Sequence, residues 1–200
     1  MRIITKEEFL EWAATKGLHL DPQYPKSAVL NFREESGSRF WEVPPEPECR
    51  PHFLALLFDL LEDWQTCYVW RNLGNWPDPA HQDPRRAGDA VELQILKGLG
   101  VPLGSAAVLG FGRGERDTLL TLLFSTTVFA CSQPDDLYIV PDHARQVIRT
   151  DHHDVVHVSF SAENYLQHWV SKMSEEGYDL PGDLPDWTFK RPSWMGGGED

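Results

Sequence analysis

An α+β fold, one domain carrying an antiparallel β-meander with three to four flanking helices, is what this sequence predicts on three observations. Clear helical periodicity falls in the first hundred residues and again after Ser161. Between Thr118 and Phe160, runs rich in Leu, Phe, Thr and Val alternate with turn formers at Ser132-Gln133-Pro134, Pro141-Asp142 and Asp151-His152, the pattern of consecutive antiparallel strands. The chain has 200 residues, 41% of them hydrophobic, and no repeat or linker divides it, so it is of a size to bury one core. The expected domain spans residues 1–195, with 196–200 disordered.

Thr5 and Glu8 form a capping box ahead of Phe9, Trp12 and Ala13, which predicts a helix from Lys6 to Lys16 closed by Gly17. Ala28–Phe32 and Phe40–Val43 flank the turn-like Glu34–Ser38 and read as a hairpin. Pro44, Pro45 and Pro47 then forbid regular structure. Pro51 sits at the favoured first turn of a helix, and Phe53, Leu54, Leu57, Leu60, Leu61 and Trp64 give it a buried face as far as Trp64. Thr66–Trp70 is β-prone, and Asn72–Arg86, with Gly74 and three prolines, is a long loop.

Ala87–Leu99 is periodic and closed by Gly100, whereas Val101–Phe111 fits strand or helix. From Thr118 to Ala130 the composition favours a strand, followed by strands at Asp136–Val140, Gln146–Thr150 and Asp154–Phe160. Ser161 is the expected cap of a last helix that buries Leu166, Trp169 and Met173 and stops at Gly177. The tail Leu180–Met195 interleaves three prolines with Trp187, Phe189 and Trp194. It is expected to lie extended over the domain, since bare rings in water are costly.

Charge bounds the partners. The net charge is −13, and Asp151–Asp186 holds eight acidic residues against one basic, Lys172. Such a field repels nucleic acid and anionic membrane and draws in a basic protein. Charges interrupt every apolar run near Met1, so neither a signal peptide nor a membrane span is expected. Cys49, Cys67 and Cys131 form no CxxC and no even framework, which suits a reducing, cytoplasmic setting. No cofactor is called for.

No spacing dictates a reaction. Asp151, His152, His153, Asp154 and His157 carry metal-ligand chemistry, but alternate residues of a strand face opposite ways, so these rings do not converge without a turn. Gly110-Phe111-Gly112-Arg113-Gly114 lacks the Lys-Ser/Thr pair of a P-loop, and Glu115 would repel a phosphate; a flexible turn is expected. Ser105 lacks the GxSxG elbow, and Cys67 and Cys131 lie in apolar, β-prone runs.

Asp136–Val140, the short strand with Val147-Ile148, Val155–Val158 and then Ser161 before the helix with Tyr165-Leu166 resemble the closing half of SUKH-type immunity proteins. The resemblance implies an α+β domain without an active site that neutralises a basic toxin. It carries over no catalytic residue.

The leading expectation is therefore a non-catalytic, acidic protein-binding module with a basic protein partner. Its face would be formed by Asp179, Asp183, Asp186, Trp187, Trp194 and Trp76, aromatic anchors within charge of one sign. A metal-dependent hydrolase built on His152, His153, Asp154 and His157 is the first alternative, and a structural subunit self-associating through the tail is the second.

Overall fold

The computed structural model describes residues 1–21, 29–71, 76–77, 87–129, 137–151 and 154–179. Along the chain run β1 (Arg2–Ile4), α1 (Lys6–Thr15), β2 (Leu18–Leu20), β3 (Leu30–Phe32), β4 (Gly37–Glu42), α2 (Arg50–Asp59), β5 (Thr66–Arg71) and α3 (Ala87–Gly98). Then come β6 (Val108–Gly112), a 3-10 turn at Arg113–Glu115, α4 (Arg116–Phe129), β7 (Leu137–Pro141), β8 (Gln146–Asp151), β9 (Val155–Phe160) and α5 (Glu163–Glu175). Seven strands make one sheet in the order β1-β6-β5-β7-β8-β9-β4, with every neighbouring pair antiparallel. The expected α+β class and the β7-β8-β9 meander are both present, within a larger sheet and with five helices among the described residues.

Strand alternation divides the core in two. Cys67 and Val69 of β5 point to the face covered by α2, α4 and α5, together with Phe111, Ile139, Ile148 and Val158. Tyr68 and Trp70 point the other way, with Tyr138 and Val147, onto Phe9 and Ala13 of α1 and the β2-β3 ribbon. This is the period-2 consequence of a sheet buried on both faces. On the α1 side Phe9 lies 5.6, 5.7 and 5.8 Å from the rings of Trp12, Tyr68 and Trp70, within the range of favourable tilted ring pairs.

The capping box of α1 is complete: the Glu8 amide donates to Thr5 Oγ1 at 3.1 Å and the Thr5 amide to Glu8 Oε2 at 2.7 Å. Five other expectations require correction. The proposed hairpin does not form, because β3 pairs with β2 and β4 pairs with β9. β1 and β2, three residues each, were too short to announce themselves. Arg116–Phe129 is a helix rather than a strand; Leu119, Leu122 and Leu123 are fully buried at helical spacing, and packing one apolar stripe outweighs β propensity.

Helix α2 ends at Asp59, short of Trp64. The Leu60 and Leu61 carbonyls are taken by Gln146 Nε2 at 3.3 Å and His143 Nε2 at 2.9 Å, and Glu62 turns left-handed at φ 57. Ser161 is not the cap of α5: that position is Ala162, without a side-chain cap, and Ser161 Oγ donates to the Arg145 carbonyl at 2.9 Å. The expected glycine turn is instead the end of β6 running through the 3-10 turn into α4. There the Gly112 amide donates to Glu115 Oε2 at 2.9 Å, and the Met1 ammonium pairs with the same carboxylate. A side chain of the protein thus engages an amide that a phosphate-binding loop would offer to an anion.

Helix α5 crosses the β4-β9 edge of the sheet. Trp169 lies 6.2 Å from Trp41 and 5.7 Å from Phe160, and Leu166 fits over Gly37, where a Cβ would stand 2.8 Å from Leu166 Cδ1. Gly37 also adopts φ 146, a region that favours glycine. The buried stripe of α5 fixes which way its polar face and its last turn point.

Candidate functional site

The corner where the C-terminus of α5 meets the N-terminus of α2 is set by a glycine. Gly177 (φ 85) lets the chain close α5, with the Gly177 amide on the Ser174 carbonyl at 3.0 Å and the Tyr178 amide on the Met173 carbonyl at 2.8 Å. These two bonds form a Schellman motif. They fold Tyr178 back onto α2, where its ring meets Phe53 edge-on at 5.0 Å and stacks on His52 at 6.1 Å and 29°. The Tyr178 hydroxyl lies 3.1 Å from His52 Nδ1.

Glu176 stands beside this ring pair, and further carboxylates lie on the same turn and at the end of α5. Glu175, Glu176 and Asp179 are exposed at the end of α5 where aligned peptide dipoles already place negative charge. Lys172 Nζ meets Glu175 Oε2 at 2.5 Å; that hydrogen bond holds the Glu175 carboxyl below its usual range and the Lys172 ammonium above its own. Ser174 Oγ donates to Asp179 at 2.7 Å, and Glu176 stands 3.8 Å from His52 Nε2. Burial, then the nearby Cys49 and Glu176, pushes the Tyr178 hydroxyl up. Glu46 and Glu48 are exposed in the turn that leads into α2. His52 is 61% exposed, so its imidazole ring, with Glu176 beside it, faces solvent here.

Asp179 belongs to this corner. Asp183, Asp186, Trp187 and Trp194 lie outside the described residues, as do the tail 180–195, the segment 196–200 and all of the 72–86 loop except residues 76 and 77. Trp76 is not a surface anchor: it is 1% exposed, donates Nε1–H to the Ala107 carbonyl at 2.8 Å and lies 5.6 Å beneath the Arg71 guanidinium. Its ring packs the core and pins the chain ahead of β6.

The alternative metal set is not brought together by its described members. Asp154 lies 3.7 Å from Arg50 at the head of α2, on one side of the sheet, whereas His157 alternates with the buried Val156 and Val158 and faces the other, 6.0 Å from the Phe40 ring. Among the described residues no three His, Cys, Asp or Glu side chains are grouped to hold a metal ion, and His152 and His153 lie outside them. Sequence reasoning missed His52, Glu176 and Tyr178. The available signal was Glu175-Glu176-Gly177-Tyr178, an acidic last turn followed by a glycine stop and a ring.

No family model, curated protein or solved structure matches this chain. Among the described residues no helix is long and apolar enough to cross a membrane.

Proposed function

We propose that this protein is a non-catalytic binding module that docks a basic protein on its acidic corner, an immunity-type role in which the partner is a cationic toxin. One observation carries the reading: Glu175, Glu176 and Asp179 gather, exposed, at the negative end of α5 beside the His52–Tyr178 ring pair. Stability alone favours basic residues at a helix C-terminus. An acidic end, with a ring beside it, suits recognition of cationic side chains. The chain continues from it into Asp183 and Asp186, adding charge of the same sign. Carboxylates so arranged occupy the place of nucleic-acid phosphates on a basic nuclease and speed its encounter.

The test is association with a panel of basic proteins that includes cationic nucleases, measured by surface plasmon resonance at two salt concentrations. Wild-type affinity is expected to fall as salt rises, and the triple variant Glu175→Gln, Glu176→Gln, Asp179→Asn to bind at least about tenfold more weakly, mostly through a slower on-rate. A triple variant that binds as the wild type does, with the same salt response, overturns the proposal.

A further inference from the structure

We infer that His52 makes the acidic corner responsive to pH, keeping it open to a cationic side chain when neutral and closing it when protonated; this rests on the docking role proposed above. The geometry of the two ring nitrogens carries the inference. Nδ1 lies at hydrogen-bonding distance, 3.1 Å, from the Tyr178 hydroxyl, whereas Nε2 lies 3.8 Å from Glu176 Oε2, too far for a hydrogen bond but within reach of an ion pair. With Tyr178 donating its proton to Nδ1, the neutral ring carries its own hydrogen on Nε2, toward Glu176.

Neutral His52 leaves Glu176 without a full counter-charge and presents an uncharged ring face to solvent. Adding a proton at Nδ1 changes three things at once: the Tyr178 hydroxyl must turn from donor to acceptor, Glu176 acquires an adjacent cation, and the ring becomes repulsive to an arginine or lysine. Imidazole is the side chain that makes this change between pH 5 and 8.

The charged and titratable groups of the corner come from α5, from the turn before α2 and from α2 itself. From α5 and its last turn come Glu176 and the Tyr178 hydroxyl, both in contact with His52, then Asp179 held by Ser174, and Glu175 engaged by Lys172 and acted on by His168, whose ring also lies 3.4 Å from Glu62. From the turn before α2 come Glu46, Glu48 and the exposed Cys49 thiol. On α2 itself Arg50 is turned inward, donating Nε–H to the Pro44 carbonyl at 3.0 Å and approaching Asp154. His52 is therefore the histidine in contact with Tyr178 and Glu176, and its charge, together with that of His168 near Glu175, sets how much negative field remains.

The experiment titrates the full-length protein with a hexa-arginine peptide by calorimetry at pH 5.5 and pH 7.5, at constant ionic strength. Wild type is expected to bind about threefold to tenfold more weakly at the lower pH, the worth of one partly exposed charge pair. His52→Gln, folded by circular dichroism, is expected to lose most of that difference between the two pH values. A wild type without pH dependence, or a His52→Gln variant that retains it, overturns the inference alone. Absence of peptide binding at either pH, or binding undiminished in the Glu175→Gln, Glu176→Gln, Asp179→Asn variant, overturns the docking role beneath it.

Discussion

Single side chains here hold backbone where the fold would otherwise let it go. Glu8 is one: hydrogen bonds from the Thr5 backbone, then from the Thr5 side chain, hold its carboxyl below the usual range. A depressed folded-state value means the contribution to stability is present above the unfolded value, near about 4.3, and is lost as pH falls through the folded one. Acid should therefore fray the start of α1 early. Amide exchange across Lys6–Phe9 should rise in the wild type below pH 4, and Thr5→Ala should shift the Glu8 titration upward by NMR. Gly37 is a second case. With φ 146 and Leu166 Cδ1 2.8 Å from any added Cβ, Gly37→Ala must push α5 off the sheet or strain the backbone. A loss of about 1–3 kcal/mol in urea unfolding is expected, and an alanine variant as stable as the wild type would show that α5 does not rest on this position.

At the scale of elements, what could be read from the sequence was what local chemistry decides. α1 was legible because Thr5 and Glu8 announce its start, and β7, β8 and β9 because turn formers separate them. α4 was not. Its Thr-, Val- and Phe-rich composition speaks for a strand, and only the Leu119, Leu122, Leu123 spacing reports the helix that burial selects. The pairing of β4 with β9 was likewise invisible, since a strand's neighbour is fixed by contacts far along the chain, and Glu34–Ser38 imitates a hairpin turn. The acidic corner was half legible: Asp179 and the charge bias stood in the sequence, while His52 joins them only through the Schellman turn at Gly177. Because α5 rests on a buried stripe, Trp169→Ala should cost about 3–5 kcal/mol and weaken binding of a basic partner by displacing the corner. Unchanged binding in that variant would separate the corner from the helix that carries it.

For the whole molecule the governing quantities are one sheet covered on both faces and a net charge of −13. The packed faces account for rigidity, and the charge accounts for long-range attraction of cations, so stability and encounter are controlled by different parts of the chain. The strand order also imposes a timetable on the nascent polypeptide. Trp41 precedes its partner Val156 by more than a hundred residues, which at about 5–20 residues per second leaves β4 waiting on the order of ten seconds on the ribosome. Throughout that interval the backbone of a six-residue strand is bare on both sides, and premature capture by another emerging copy competes with completion of the sheet.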